Sequence, residues 1–276
     1  MAASIFDSAI YRDLLWDSDM AALFTDSAQV RAMMLVEGVL AKAQAEAGII
    51  PVDSGFFIHR AGMECQVDPA GLAAETAQTG DMVPALVAAL QKALEAPEHA
   101  KFLHYGVSSD DIHDTAYILR LRQAIKKIEA RLATDKRHAD TLTVLQDIKL
   151  DLLQIRLSGE DGTLDAMKEQ GPNVRAAVAQ GLALADPGAL PSDLIDTLSK
   201  LGRFTARLSA QLTAVDPAVA TVAAAQDTSF QAAEKLPVTQ AKRAMWMLLP
   251  AQFMALATLL EKTSQNNTSL SLVENE

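Results

Sequence analysis

Residues 109–138 read SDDIHDTAYILRLRQAIKKIEARLATDKRH. Its apolar side chains recur every three or four residues over several turns, at Ile112, Ala116, Leu119, Ile125, Ile128 and Leu132. That spacing places them along one face of a helix. The stretch therefore predicts a long amphipathic helix, whose apolar face must be covered by other elements.

The rest of the chain repeats this pattern between short turns. Helices are predicted at 28–48, 68–79, 82–96, 142–157, 172–184, 192–214 and 237–262. A weaker helix is expected at 217–233, a loop at 51–55, and Pro172 in the first turn of its helix. Strand patterns are essentially missing, and the apolar residues are mostly Ala and Leu, which favour helix. The sequence thus predicts an all-α chain whose long helices form an antiparallel bundle.

The same pattern predicts the domain organisation. Residues 1–103 are expected to form a smaller N-terminal helical domain and residues 104–263 the central bundle. The last segment, 264–276, is polar, and we expect it to be disordered.

Composition excludes several classes of protein. The 276 residues are 50% hydrophobic, which argues against intrinsic disorder, and carry a formal net charge of −11. That acidity argues against non-specific binding to nucleic acid or to an anionic membrane. The single cysteine, Cys65, cannot form an internal disulfide and fits a reducing compartment. The first seven residues do not resemble a signal peptide, so a cytoplasmic location is expected.

One stretch, 244–260, is a candidate membrane span because only Gln252 is clearly polar within it. The stretch is shorter than the roughly 20 residues that a span needs, and Pro250 interrupts it. A buried bundle helix is therefore favoured, with membrane contact as the alternative.

The segment HYGVSSDDIHDTA, residues 104–116, carries most of the chemical information. It is a glycine-containing loop that runs into a helix N-terminus, where Ser108 or Ser109 can cap the helix. The helix dipole favours negative charge in the first turns, so a capped helix with a solvated acidic first turn explains Asp110 and Asp111. The same N–H groups and hydroxyls can instead hold a substrate carboxylate, with His104 exchanging a proton near neutral pH.

A metal site is a third interpretation, since His104, Asp110, Asp111, His113 and Asp114 are ligand types. Asp111 and His113 point to different faces of a helix, and no second histidine lies four residues away. We therefore predict no metal.

Residues 104–115 resemble the first signature of the fumarase/aspartase superfamily, His-x-Gly-x-(Thr/Ser)-Ser-x-Asp-x-x-Asp-Thr, at every fixed position. Further residues resemble the bacterial 3-carboxy-cis,cis-muconate cycloisomerases of that superfamily, namely 18–19, 23–25, Met34, Glu37, 40–41, 43–45, 48–51, 157–164 and 171–177. The resemblance covers roughly residues 5–185.

The resemblance implies an activity, a substrate class and an assembly. These enzymes abstract a proton beside a carboxylate, and in the cycloisomerase branch a carboxylate of the substrate adds across its own double bond to close a lactone. The implied substrate is a small polycarboxylate of aromatic breakdown, in the protocatechuate (β-ketoadipate) pathway. No cofactor or metal is implied. The family's fold is a long-helix antiparallel bundle, mainly in homotetramers (or here a dimer) whose active sites combine several subunits.

The resemblance also implies site residues. Ser108, Ser109 and Thr115 are expected to lie near the substrate carboxylates, and His104 to bind substrate or transfer a proton. Two further substrate-binding residues are expected, Arg156 just before the glycine run at 157–164 and Thr163 within it. Asp111 and Asp114 are expected to orient the loop.

The sequence also departs from the family. A second signature should follow residues 137–141, but 143–146 leads straight into the next predicted helix, so His138 is interpreted as a surface residue at a helix end. The third signature, which carries the catalytic serine, lysine and asparagine, is not found, and Ser229 is a faint candidate for the general base. The chain is also shorter than the family's enzymes.

These departures keep two alternatives open. One is a catalytically silent helical oligomer of the same superfamily, and the other is an adenylosuccinate-lyase-like enzyme. Glu160 and Asp161 also put negative charge near the expected site, which Arg156 or Lys168 would have to offset.

Overall fold

The computed structural model describes residues 9–10, 12–134, 139–148, 152–155, 157, 165–188, 194–212 and 215–273, and this part of the chain is helical. The α-helices are α1 Arg12–Leu15, α2 Ser18–Ala21, α3 Asp26–Glu46, α4 Val52–Glu64, α5 Ala73–Thr79, α6 Val83–Leu94, α7 Pro97–Ala100, α8 Ser109–Ala133, α9 Ala139–Gln146, α10 Asp165–Gly181, α11 Leu194–Gln211, α12 Pro217–Ala233 and α13 Val238–Val273. Two 3₁₀ helices lie at Ala22–Phe24 and Pro69–Leu72. Within these ranges, β pairing is limited to one isolated parallel bridge, between Leu152 and Ala185. The all-α prediction is confirmed.

The chain divides into two compact units. We call residues 25–122 with 150–192 the site unit, and residues 1–24, 123–149 and 193–276 the bundle unit. The predicted boundary after residue 103 falls inside the site unit, and the division into an N-terminal domain and a bundle stays a prediction.

The site unit is organised around the packing of α3 on α4. A Cβ on Gly55 would lie 2.3 Å from the Cβ of Ala45, and one on Gly62 would lie 2.6 Å from the carbonyl oxygen of Met34. As the residue number increases along α4, the number of the contacting residue on α3 decreases, so the two helices are antiparallel. On α10, Gly181 packs against Val39 of α3 in the same way.

The bundle unit is built from α11, α12 and α13, which pack on one another. Gly202 of α11 lies against the ring of Phe230, which is completely buried on α12. Arg131 pairs with Asp17 at 2.6 Å and donates to the carbonyl of Ala257 at 2.8 Å, which links three segments distant in sequence.

Three local predictions were wrong. The expected loop at 51–55 is instead the first turn of α4, because its glycine suits close packing on α3. The helix expected at 142–157 ends at Gln146, and Leu153 instead donates a backbone hydrogen bond to Ala185 at 2.9 Å. Pro172 lies inside α10 rather than in its first turn. In each case tertiary packing outweighs a weak local preference.

The last helix is longer than predicted. It continues through Pro250 and ends at Val273, so it includes 264–273, where the composition predicted a disordered tail. Its segment Gln240–Gln265 is long enough to span a membrane and contains an 18-residue stretch with a mean hydropathy of 1.4. However, 61% of that stretch is buried inside the fold, as expected of a core helix. One such segment is weak evidence for a membrane protein.

Candidate functional site

The loop that precedes α8 has an unusual backbone at two positions. Gly106 has φ of 70°, which glycine adopts readily, but His104 has φ of 60°, in the left-handed region that non-glycine residues rarely occupy. Such a conformation costs on the order of 1–3 kcal/mol and persists only where surrounding contacts hold it.

Glu37 of α3 supplies those contacts with both carboxylate oxygens. Oε2 accepts the backbone N–H of His104 at 3.1 Å, and Oε1 lies 2.6 Å from Nδ1 of the same histidine. Because an ionised carboxylate only accepts, Nδ1 carries the proton and donates. The Glu37 side chain is 1% exposed and the His104 side chain 22% exposed, so the pair is shielded from water while the imidazole still reaches the surface.

A second buried side chain of α3 holds the next residue of the loop. Nε2 of Gln44 donates to the carbonyl of Tyr105 at 2.6 Å, and Gln44 is completely buried. Glu37 and Gln44 are seven residues apart and so lie on one face of the helix. The loop is therefore fixed at two points by α3.

The charges around His104 favour its protonated form. Burial lowers the pKa of His104. The hydrogen bond and the charge of Glu37, together with the charges of Asp111 and Asp81, raise this pKa by more than burial lowers it, so the net shift is upward. A protonated imidazole whose Nδ1 is engaged presents an N–H at Nε2, on the opposite edge of the ring.

The start of α8 is capped by a reciprocal pair. The hydroxyl oxygen of Ser108 accepts the backbone N–H of Asp111 at 3.3 Å, and the Asp111 carboxylate accepts the backbone N–H of Ser108 at 2.9 Å. The Ser108 hydroxyl also donates to that carboxylate at 3.0 Å. Of the two caps considered from sequence, Ser108 is the one used, and Ser109 is the first residue of α8.

One turn further along α8 lies a buried polar group. Thr115 is completely buried, and among the described residues its hydroxyl oxygen has no hydrogen-bond partner. Asp114 is buried beside it, with one carboxylate oxygen 4.0 Å from Nδ1 of His113. A buried hydroxyl without a partner is costly, so a water or a ligand is expected to supply one.

The predicted site residues fall in different parts of the chain. His104, Ser108, Ser109 and Thr115 lie in one loop-and-helix segment of the site unit. Ser229 lies within α12 of the bundle unit, is exposed, and donates its hydroxyl to the carbonyl of Ala225 at 3.2 Å. Arg156, Thr163 and His138 lie outside the described residues. The catalytic and substrate-binding roles stay predictions.

In the sequence, Glu37 and Gln44 are points of resemblance to the cycloisomerases, and their contacts with the loop before α8 were not predicted. A signal was available, because two polar residues seven apart interrupt an otherwise apolar helix face. In the part of the chain that the structure describes, no three His, Cys, Asp or Glu side chains gather closely enough to hold a metal ion.

The chain is similar in sequence to known enzymes. It is 30% identical over 208 residues to 3-carboxy-cis,cis-muconate cycloisomerase of Pseudomonas aeruginosa, a match of 61% of this chain and 45% of that protein. It is 32% identical over 171 residues to the enzyme of the same name from Pseudomonas putida, covering 55% and 40% of the two chains. A shorter match, 32% identical over 133 residues, covers 48% of this chain and 26% of adenylosuccinate lyase of Methanocaldococcus jannaschii. The chain thus matches less than half the length of these relatives, and no family model matches it.

Solved structures share its fold. The β-carboxy-cis,cis-muconate cycloisomerase of Acinetobacter calcoaceticus sp. ADP1 superposes with a TM-score of 0.80 at 22% identity, over 92% of this chain and 76% of that one. A fumarate lyase from Mesorhizobium sp. BNC1 gives 0.72 at 20% identity, over 90% and 74%. The chain is therefore a sequence relative of the 3-carboxy-cis,cis-muconate cycloisomerases and has the all-helical fold of the fumarase/aspartase-type lyases.

Proposed function

We propose that this chain binds a small polycarboxylate at the loop 104–109 and acts on it as a 3-carboxy-cis,cis-muconate cycloisomerase, in the protocatechuate pathway. In that reaction a carboxylate oxygen of the substrate bonds to one carbon of its own double bond, and a proton is added at the neighbouring carbon. The observation that carries the proposal is the pairing of His104 with Glu37 at the N-terminus of α8.

Two local groups favour an anionic ligand, although Glu37, Asp111 and Asp81 carry negative charge nearby. A protonated His104 supplies a positive charge, and the N-terminus of a 25-residue helix supplies a positive dipole end. Ser109 and the unpartnered hydroxyl of Thr115 add hydrogen-bonding groups on the same helix. Such donors also stabilise the charge that develops when a carbanion forms beside a carboxylate.

The test is to add 3-carboxy-cis,cis-muconate and follow the loss of its ultraviolet absorbance. We expect turnover that falls at least about tenfold in His104→Gln, because one charge-assisted hydrogen bond is worth about 1.5–3 kcal/mol. The activity is expected to be unaffected by a chelator, because no metal is proposed. If the wild-type protein neither turns over nor binds the compound, the proposal is wrong.

A second candidate is a silent oligomer that binds carboxylates without converting them. The environment of Ser229 favours it, since this hydroxyl is exposed within a helix and bonds to a backbone carbonyl rather than to a base. Binding of the substrate without turnover would support this candidate. If turnover occurs, Ser229→Ala decides whether this serine exchanges the proton, because the addition needs a group that delivers a proton to the neighbouring carbon and removes it in the reverse reaction. Turnover of adenylosuccinate instead would support a lyase of that kind.

We further propose a homotetramer, or at least a dimer, in the cytoplasm. Large apolar side chains are exposed in both units, including Val52 at 72%, Phe56 at 60% and Met247 at 80%. Apolar side chains exposed to this extent are typical of surfaces that pack against other subunits. Light scattering that gives a stable monomer would contradict the oligomer.

A further inference from the structure

We propose that Glu37 is the positioning residue of this site: it holds His104 so that Nε2–H is presented as a donor to a carboxylate of the ligand. The inference rests on the proposed function for the identity of the ligand, a polycarboxylate. It assigns His104 to anion binding rather than to proton abstraction, and it assigns Glu37 a role that acts only through His104.

The geometry carries this assignment. The two oxygens of one carboxylate bond to two groups of the same residue, the backbone N–H at 3.1 Å and Nδ1 at 2.6 Å. Because one carboxylate accepts hydrogen bonds from both the backbone and the ring of His104, it stabilises the left-handed backbone and the orientation of the ring together. With Nδ1 engaged, the ring has only Nε2 left for a ligand.

Burial makes the carboxylate effective. Because the Glu37 side chain is 1% exposed, water screens its charge poorly. Its hydrogen bonds to His104 also cannot be replaced by hydrogen bonds to water. The other charged groups that act on His104 are Asp111 at the start of α8 and Asp81 between α5 and α6, and both are acidic. All three neighbouring charges therefore favour the imidazolium, which cannot accept a proton and is a strong donor to an anion.

The first experiment titrates the histidines of the wild-type protein by NMR, with the His104 signal assigned from the spectrum of His104→Gln. We expect His104 to titrate above the ordinary value of about 6.5. A midpoint at or below that value overturns the inference, whether or not any ligand binds.

The second experiment replaces Glu37 by Gln, which keeps an acceptor and removes the charge. The His104 midpoint is expected to fall by about one pH unit or more, since an opposite charge at this distance shifts a pKa by about that much. Asp81→Asn is the matched control: it removes one carboxylate charge, keeps the oxygen that caps Val83, and does not bond His104. We expect a smaller shift in Asp81→Asn than in Glu37→Gln, and equal shifts would overturn the inference.

The third experiment measures the binding of tricarballylate, an unreactive tricarboxylate, at pH 7.5 and pH 5.5. In Glu37→Gln we expect about tenfold weaker binding at pH 7.5 and a smaller loss at pH 5.5, where more of the histidine is protonated without Glu37. An equal loss at both pH values would mean that Glu37 only supports the loop. Gln44→Leu is the control for that outcome, because it releases Tyr105 without changing charge, and we expect it to lose the same affinity at both pH values. Failure of the wild type to bind tricarballylate would count against the proposed function, while the NMR titration still decides the role of Glu37.

Discussion

Gly62 of α4 lies so close to Gly38 of α3 that a Cβ on Gly62 would come within 3.2 Å of the Gly38 Cα and within 2.6 Å of the Met34 carbonyl oxygen. The two helices thus meet backbone to backbone at this point. The contact matters for the site because α3 also carries Glu37 and Gln44, which hold the loop before α8.

The first prediction concerns this helix contact. Gly62→Ala is expected to lower the free energy of unfolding by about 1–3 kcal/mol, because the added methyl forces the backbones apart. Urea unfolding measures the change. Gly71→Ala is the control, since a Cβ there has no atom within 4 Å, and it is expected to change stability by less than about 0.5 kcal/mol. Equal stability of the two variants would show that α3 and α4 are not in close contact.

The second prediction concerns the cap of α8. Ser108→Ala is expected to cost about 1 kcal/mol, because it leaves the backbone N–H of Asp111 without its acceptor. Ser229→Ala provides the comparison: its exposed hydroxyl bonds only a carbonyl within its own helix, so about 0.5 kcal/mol or less is expected. A Ser108→Ala variant as stable as the wild type would refute the capping role.

The third prediction concerns pH and follows from His104. Its pKa is raised in the folded protein, so the protonated imidazole stabilises the fold fully below the unfolded value of about 6.5. That stabilisation is lost as the pH rises through the folded pKa. Urea unfolding between pH 6 and pH 8.5 should therefore show a decrease that is weaker in His104→Gln. A decrease of the same size in both proteins would assign it to other groups.

The fourth prediction concerns the N-terminus of α12. Asp216 accepts the backbone N–H groups of Ala218 at 3.1 Å and Val219 at 3.2 Å, and also pairs with Lys262 of α13. Asp216→Ala should lose the cap, worth about 1 kcal/mol, together with the partly exposed ion pair, whereas Asp216→Asn keeps a good cap and loses only the ion pair, worth up to about 1 kcal/mol. Equal losses in the two variants would mean that the cap contributes nothing.

The same aspartate gives that comparison a pH dependence. The hydrogen bond from Lys262 lowers the pKa of Asp216, so its stabilisation is present above the unfolded value and is lost as the pH falls through the folded pKa. The difference between wild type and Asp216→Asn should therefore shrink in acid. A difference that stays constant down to low pH would contradict the ion pair.

The helices that sequence predicted best are those with a long apolar period. The start of α8 was predicted at Ser109, and α3 was predicted to within two residues at each end, because periodicity over many turns outweighs local irregularity. Short and proline-containing segments were harder. The helix at Val52–Glu64 was missed because its two glycines, which disfavour an isolated helix, are used for close packing on α3. The predicted helix at 237–262 already runs through Pro250, but the extension of α13 to Val273 was missed, because the polar composition of 264–276 favours no packed helix.

For the candidate site, the residue types and their order could be read from the sequence: a histidine, a glycine, two serines and an acidic first turn of a helix. These are local features, because capping and helix dipoles act over a single turn. The contact of Glu37 with His104, 67 residues away, and the hydrogen bond from Gln44 to Tyr105 could not be read from the sequence and follow from the folded structure. Which buried carboxylate meets which histidine depends on how α3 packs beside the loop, and that packing depends on shape complementarity over the whole unit rather than on any local pattern.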